Sequence, residues 1–372
     1  MNLNVYGSGD PREALEAGER SLALARELDA REQIAFTMTD LWRPYVWVGD
    51  LAAARRTLED ARPIWRELDN LPMLTENLAS SANVRRFTGD DDQALALAIE
   101  ARSVAESIGN LWGIAFACMA SAEVYLDRGD VGGAIDLMRD AIEMGERVGF
   151  LAPLAMTRAA LAVVYASLGD HGGALRTVEA ADEVATERLP SARPAVLMAL
   201  SQIHALAGEL AEAEARLAEC DVELLPEAAR TQASLSVPLV EGSIALARAD
   251  HDRAIEEADA LVDRLDRAHL LIYRPEALLL KGRALAAAGR TSEAEGTLRQ
   301  ARSTAERLGH RRILWEILAE LGDVVDGEER PTIVGEARDI VEAMAGALDE
   351  ELRTCFLRLP QVRALLDLPS HC

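Results

Sequence analysis

The sequence predicts an all-α protein, a right-handed solenoid of about eight helical hairpins with a period of roughly 40 residues. A small residue recurs with this period, at Gly9, Gly49, Gly89, Gly129, Gly169, Gly208, Ala249 and Gly289. Five positions after each one stands an alanine, at Ala14, Ala54, Ala94, Ala134, Ala174, Ala213, Ala254 and Ala294. Because both columns keep their spacing, every unit is expected to fold alike and to bury its apolar face against its neighbours.

The turn inside each hairpin follows from the glycine column and from the next residue. A glycine lets the chain leave the first helix in the left-handed conformation. An aspartate at the next position can cap the free amides that open the second helix. It occurs at Asp10, Asp50, Asp90, Asp130, Asp170 and Asp250. In the first unit, Pro11 suits the first helical position, and Glu13 completes a capping box with Asp10.

Apolar spacing predicts the two helices of each hairpin. In one second helix, apolar residues follow one another at steps of three and four, which indicates one buried face. They are Ala134, Ile135, Met138, Ala141 and Ile142. A small residue seven positions before most turns lets the helix axes approach to about 8 to 10 Å. These residues are Ala82, Ala122, Ala162, Ser201, Gly242 and Gly282.

The second helix of most units is expected to end at a large apolar residue followed by aspartate or glycine. The pairs are Leu28 and Asp29, Leu68 and Asp69, Ile108 and Gly109, Val148 and Gly149, Leu265 and Asp266, and Leu308 and Gly309. Since a new first helix begins after each pair, the chain reads as one uninterrupted series of hairpins.

These motifs resemble the tetratricopeptide repeat (TPR). One unit carries the likeness at Ala122, Tyr125, Gly129, Ala134 and Ala141. The hairpins here are longer than the usual unit of about 34 residues. Longer hairpins are similar to the C-terminal arrays of bacterial ATPase-linked regulators of the transcriptional activator or nucleotide cyclase type. The resemblance implies a TPR-like α-solenoid that binds a partner.

The two ends depart from the repeat. The sequence predicts a TPR-like array over residues 1–310, with an incomplete first hairpin, and a degenerate final hairpin with a capping helix over residues 311–372. Because solenoids normally close with an atypical cap, we expect the chain to be the C-terminal part of a longer regulator. The alternative is that a second copy caps the open N-terminal end, which would make a homo-oligomer.

Composition restricts the classes of partner. The formal net charge of −24 argues against a nucleic-acid surface, which needs clustered cations. The pairs Arg55-Arg56, Arg85-Arg86 and Arg311-Arg312 are isolated and are expected on solvated helix faces. Four widely spaced cysteines are typical of reduced thiols in a cytoplasmic protein. The most apolar stretch, residues 151–169, contains Arg158 and falls in register as a first helix, so no membrane span is predicted.

No local motif predicts catalysis, a cofactor or a metal. Lys281 is the only lysine, and no phosphate-binding loop surrounds it. The six histidines form no pair at metal-ligand spacing. The acidic run from Asp90 to Asp92 is expected in an exposed turn. A hydrolase with a noncontiguous site stays open as a less favoured alternative, since catalytic triads can assemble from distant residues.

In the arrays that this repeat resembles, first helices line the concave inner face. Applied to the early hairpins, this register predicts a partner-binding groove of aromatic, arginine and acidic side chains. Its residues are Arg43, Trp47, Glu76, Asn83, Arg86, Phe87, Phe116, Met119 and Glu123. Later hairpins add Glu276 and Arg283 to the same face. As an alternative, Trp47 and Phe87 end their helices and only pack against the next hairpin.

The sequence therefore favours a non-catalytic region that binds a protein, a peptide or a small effector. We expect it to be the sensor part of a cytoplasmic bacterial signalling or transcription regulator. The alternative is a constitutive scaffold that holds partner proteins without switching.

Overall fold

The computed structural model describes residues 11–220 and 227–367, and the regular elements in these ranges are helices. The first ten are α1 Pro11–Glu27, α2 Arg31–Asp40, α3 Trp42–Trp47, α4 Leu51–Glu67, α5 Leu71–Phe87, α6 Asp91–Ser107, α7 Leu111–Asp127, α8 Val131–Val148, α9 Arg158–Ser167 and α10 His171–Glu187. The next ten are α11 Arg193–Leu206, α12 Leu210–Glu219, α13 Glu227–Ala247, α14 His251–Ala268, α15 Arg274–Ala287, α16 Thr291–Leu308, α17 Arg311–Val324, α18 Arg330–Ala347, α19 Glu350–Arg358 and α20 Pro360–Asp367.

Consecutive helices pack as hairpins, which stack in chain order. We number them hairpin 1 (α2 to α4), hairpin 2 (α5, α6), hairpin 3 (α7, α8), hairpin 4 (α9, α10), hairpin 5 (α11, α12), hairpin 6 (α13, α14), hairpin 7 (α15, α16) and hairpin 8 (α17, α18). A π-helical turn at Pro153–Thr157 opens hairpin 4. The predicted all-α repeat array is therefore confirmed.

The turn column adopts the predicted left-handed backbone at every described member. Its φ angles run from 60° at Ala249 to 85° at Gly49. Ala249 shows that the turn is imposed by the hairpin, because a residue with a Cβ rarely adopts this conformation.

The aspartate caps are confirmed at four positions. Asp50, Asp130, Asp170 and Asp250 each accept a hydrogen bond from the amide three residues later. The expectation was wrong for Asp90, whose side chain makes no cap bond and instead pairs with Arg85 at 3.0 Å. The guanidinium draws that carboxylate away from the helix amides. The capping box at Asp10 lies outside the described residues.

The predicted ends of the second helices hold with one exception. Asp29, Asp69, Gly109, Gly149 and Gly309 have left-handed backbones. In hairpin 6 the expected end at Asp266 was wrong, because α14 continues to Ala268 and His269 is the left-handed residue. The extra turn carries the half-buried Ala268 into the apolar cluster around Leu265 and Leu270.

The alanine column forms the inside of the hairpins. All eight alanines from Ala14 to Ala294 are 0% exposed. A side chain larger than a methyl group at this position would hold the two helix axes of a hairpin further apart. The largest apolar core then runs through hairpins 3, 4, 5, 7 and 8 and into the C-terminal helices.

The array curves until early hairpins contact late ones. α3 contacts α13, α7 contacts α17, and α8 contacts α18. A methyl group added at Gly132 in α8 would overlap the carbonyl oxygen of Ala347 in α18. One added at Gly129 would lie 3.2 Å from Cβ of Arg311. Hairpin 3 therefore lies directly against hairpin 8, across one turn of the superhelix.

Two short helices follow hairpin 8. In α19, Phe356 is 1% exposed and meets the Trp315 ring edge to face at 6.2 Å. In α20, Val362 and Leu365 are buried in the same core. These two helices thus pack on the last hairpin. Among the described residues, no helix is both long and apolar enough to cross a membrane.

Candidate functional site

The structure brings the charged residues of the predicted groove into contact across neighbouring first helices. Arg86 on α5 and Glu123 on α7 form an ion pair at 3.2 Å. Glu76 on α5 and Arg43 on α3 interact electrostatically: burial raises the pKa of Glu76, and Arg43 partly offsets that rise. Asn83 and Met119 are half-buried on the same two helices, α5 and α7.

Among the aromatic residues of the predicted groove, Phe116 is buried, and Trp47 and Phe87 are half-buried. Phe116 is 9% exposed, and its ring lies 5.4 Å from the ring of Trp112. Phe87 packs against a cluster that contains Leu265 and Leu270, from one superhelical turn later. Trp47 is half-buried at the end of α3. Partner binding through Trp47, Phe87 and Phe116 stays a prediction. The packing alternative was stated for Trp47 and Phe87, and Phe87 has apolar packing contacts.

A buried ion pair joins α5 to α7. The Nε atom of Arg86 donates to Oδ2 of Asp127 at 2.8 Å, and both residues are buried. Burial alone would lower the pKa of Arg86, but Asp127 and Glu123 hold it above its ordinary value. Burial alone would raise the pKa of Asp127, but Arg86 brings it below its ordinary value. The expectation that Arg86 belongs to a solvated helix face was therefore wrong.

Two further buried residues adjoin this pair, Asp91 from hairpin 2 and His310 from the start of hairpin 8. The Nε2 atom of His310 lies 3.7 Å from Oδ2 of Asp91 and 3.9 Å from Oδ2 of Asp127. Burial and the Asp127 carboxylate raise the pKa of Asp91 to about 6. Burial lowers the pKa of His310, and Asp127 only partly offsets this. The expectation of an exposed turn was wrong for Asp91, because hairpin 8 covers it.

Hairpins 7 and 8 complete the inner face with a second ion pair. Arg312 donates to Oε1 of Glu276 at 2.9 Å. Burial raises the pKa of Glu276 despite the nearby Arg312, and burial also raises the pKa of Tyr273 beside them. Arg312 is thus not on a solvated face as expected. The predicted inner-face residue Arg283 pairs with Glu320 at 2.7 Å and with Glu316 at 2.9 Å.

Sequence reasoning missed Asp91, Asp127 and His310, although each breaks the pattern of its register. Asp127 occupies the column of Trp47 and Phe87, where it replaces an aromatic residue. Asp91 occupies the column that holds buried Leu51 and Val131. His310 occupies the column in which Asn70 and Asn110 cap first helices, yet its side chain makes no cap bond. A charged or titratable residue at a conventional packing position was the available signal.

These three residues could hold a metal ion. One donor atom from each of Asp91, Asp127 and His310 lies within 4.8 Å of the other two. Histidine nitrogen and carboxylate oxygen are ordinary ligands of divalent transition metals. Across the described residues, no second such group of histidine, cysteine and acidic side chains occurs.

The stacked hairpins define a helical-repeat protein of the tetratricopeptide type, a class whose concave surfaces bind other proteins. The family profile described as MalT-like TPR region matches residues 4–324, so the chain belongs to the MalT-like TPR family. The predicted resemblance to TPR arrays is confirmed. No curated protein matches the chain significantly.

The chain is also similar to solved structures. A Rap protein complexed with Competence and Sporulation Factor is 12% identical, with a TM-score of 0.57 over 89% of this chain and 97% of that one. A tetratricopeptide repeat protein from Parabacteroides merdae is 15% identical, with a TM-score of 0.43 over 76% of this chain and 98% of that one. Yeast Tom70 is 11% identical, with a TM-score of 0.34 over 96% of both chains.

Proposed function

We propose that this chain is a non-catalytic sensor region of a bacterial signalling or transcription regulator, and that its inner face binds a peptide or protein segment. One observation carries the proposal: charged groups of both signs line the inner face from early and late hairpins. Glu123 has 39% of its side chain exposed, Arg283 has 32% and Arg312 has 29%. A polypeptide offers both N–H donors and carbonyl acceptors to such a surface.

Unused hydrogen-bonding capacity on this face supports the same proposal. Oε2 of Glu276 and Nε of Arg312 are buried and have no hydrogen-bond partner. A buried polar group without a partner destabilises the fold by about 1 to 3 kcal/mol. A bound peptide amide and carbonyl could supply the missing partners and recover that free energy.

The curvature of the array gives a way to pass on a binding event. A ligand that contacts α5 and α7 as well as α15 and α17 would bind better when the superhelical turn is closed. Because a ligand shifts an equilibrium only through its different affinities for two states, such a ligand would favour the closed curvature. An attached domain could respond to that change.

The alternative function is a constitutive scaffold. It predicts binding on the same face without a change in curvature. Small-angle X-ray scattering separates the two functions, because a sensor changes its radius of gyration on binding and a scaffold keeps it.

Selection of peptides from a random displayed library against the purified chain tests the binding face. We expect three single substitutions each to weaken the binding of a selected peptide by about tenfold or more: Arg43→Ala, Trp47→Ala and Glu123→Gln. The matched controls are Glu187→Gln and Arg188→Ala, which change exposed residues where α10 ends. Peptides that bind all five variants equally well would place the binding surface elsewhere, and the proposal would then fail.

A further inference from the structure

We propose that Asp91, Asp127 and His310 bind one divalent transition-metal ion, with Zn²⁺ as the best match, and that this ion fastens hairpins 2 and 3 to hairpin 8. Asp91 opens α6, Asp127 ends α7, and His310 immediately precedes α17. Asp91 and Asp127 therefore come from consecutive helices that pack directly on each other, and the superhelical turn brings His310 to them. The proposed metal site does not rest on the proposed peptide binding, although Arg86 and Glu123 lie beside both.

The spacing of the donor atoms suits a metal ion better than direct hydrogen bonds. The distances of 3.7 Å and 3.9 Å from His310 to the two carboxylates exceed hydrogen-bond length. In a tetrahedral zinc site with bonds of about 2.0 to 2.2 Å, neighbouring ligand atoms lie about 3.4 Å apart. A contraction of a few tenths of an ångström would bring His310 to that separation from both carboxylates, and the donor atoms of Asp91 and Asp127 lie within 4.8 Å of each other.

The second observation is that two of the three ligands, Asp91 and His310, are buried and lack hydrogen-bond partners. Asp91 is 5% exposed and His310 is 1% exposed. Both carboxylate oxygens of Asp91 and both ring nitrogens of His310 are buried without a hydrogen bond. Buried polar groups are nearly always hydrogen-bonded or bound to metal. A metal ion would satisfy Asp91 and one nitrogen of His310 at the same time.

The charge of the surroundings also favours a divalent cation. Four carboxylates and two guanidinium groups meet here, while His310 is neutral as a metal ligand. They are Asp91, Glu123, Asp127 and Glu276 against Arg86 and Arg312. Two negative charges remain, and one divalent ion balances them. Arg86 already donates to Asp127, and such outer hydrogen bonds orient a ligating carboxylate.

The donor set selects the class of ion. An imidazole nitrogen with two carboxylates suits Zn²⁺, Co²⁺, Fe²⁺ or Mn²⁺, whereas Ca²⁺ and Mg²⁺ prefer all-oxygen sites. We therefore expect the chain to bind Zn²⁺ and Co²⁺ and to bind Mg²⁺ far more weakly.

Titration of the chelator-treated full chain with Zn²⁺, Co²⁺ and Mg²⁺ by isothermal calorimetry tests this site. We expect one equivalent of Zn²⁺, a higher Tm with Zn²⁺, and a Co²⁺ absorption spectrum typical of four-coordinate geometry. Asp91→Asn and His310→Gln should each weaken Zn²⁺ binding by about tenfold or more, since each removes a ligand. Because Asp91→Asn keeps the shape of the side chain, weaker Zn²⁺ binding by this variant would not result from unfolding.

The matched controls are Asp92→Asn and His269→Gln, which change exposed residues of the same types. Both should leave Zn²⁺ binding unchanged. Far-ultraviolet circular dichroism confirms that each variant retains its helices. The proposal is overturned if no stoichiometric Zn²⁺ binding occurs, if Mg²⁺ binds equally well, or if Asp91→Asn binds Zn²⁺ as tightly as the natural chain.

Discussion

At the scale of single residues, the neighbouring side chains decide what a residue does more than its type or its register does. Asp90 and Asp130 occupy the same column, yet only Asp130 caps its helix. The sequence predicts caps well because a cap depends on residues only three positions apart. It failed at Asp90 because the deciding partner, Arg85, belongs to the preceding helix. It failed at Asp91 because the covering residues are more than 200 positions away.

The cap at Asp130 provides a direct test of the turn chemistry. Its Oδ1 atom accepts from the amide of Gly133 at 3.0 Å. Asp130→Ala should lower the free energy of unfolding by about 1 kcal/mol, because an amide of α8 then loses its partner. Asp130→Asn is the matched control and should be nearly neutral, as asparagine caps equally well. Urea denaturation followed by circular dichroism measures both changes. Equal stability of the two variants would contradict the role of the cap.

Asp40 gives a prediction for pH dependence. It is 5% exposed, its Oδ2 atom has no hydrogen-bond partner, and burial raises its pKa although the Arg43 charge opposes the rise. A carboxyl with a raised pKa binds more protons in the folded state than in the unfolded state, so its contribution to stability falls as pH rises through the folded-state pKa.

Asp40→Asn removes this titration and keeps the size of the side chain. We therefore expect the variant to have a higher Tm at about pH 7.5 and a smaller loss of Tm between about pH 4.5 and about pH 7.5. Differential scanning calorimetry at both pH values measures this. A lower Tm of Asp40→Asn at the higher pH would show that the interaction with Arg43 outweighs the cost of burial.

At the scale of hairpins, the sequence was nearly sufficient to predict the structure. The turn column, the alanine column and the apolar stripe all act within one unit, so their spacing specifies two helices and the angle between them. What local spacing does not specify is helix length where the following segment varies. The extension of α14 to Ala268 depends on contacts with Leu270, which no repeat register encodes.

A substitution inside α4 tests the close contact within a hairpin. Ala54 belongs to the alanine column and is 0% exposed, whereas Ala52, two positions earlier, is exposed. Ala54→Leu should lower the free energy of unfolding by about 1 to 3 kcal/mol, since the larger side chain forces the helices apart. Ala52→Leu places the same side chain on the same helix and should cost much less. Chemical denaturation measures the free energy of unfolding of both variants. Similar losses of stability would argue against tight packing at the alanine column.

At the scale of the whole molecule, the closure of the superhelical turn is the feature that sequence could not provide. The sequence of a hairpin predicts how it packs on the next one. Whether hairpin 3 meets hairpin 8 depends on the rotation from one hairpin to the next, summed over the array. Small differences in that rotation add up over five units. Arg86 was therefore expected on a solvated face and Asp91 in an exposed turn, whereas the closed turn covers both with His310 in one buried cluster.

Gly132 and Gly172 make this closure testable with a matched pair of substitutions. Both are the second residue of a second helix, 40 positions apart, and neither has a positive φ. A methyl group on Gly172 would lie 3.4 Å from the flexible end of Arg176, whereas one on Gly132 would overlap the Ala347 carbonyl in α18. Only the second contact crosses the superhelical turn.

Alanine favours a helix over glycine by about 0.5 to 1 kcal/mol, so Gly172→Ala should be neutral or stabilising by up to that amount. Gly132→Ala should instead be destabilising by about 1 to 3 kcal/mol, because a backbone carbonyl cannot move aside without shifting α18. We also expect a larger radius of gyration by small-angle X-ray scattering for Gly132→Ala alone. If both variants gain stability and keep the same radius, hairpins 3 and 8 do not touch in solution. The buried cluster of Asp91, Asp127 and His310 would then not exist as a unit.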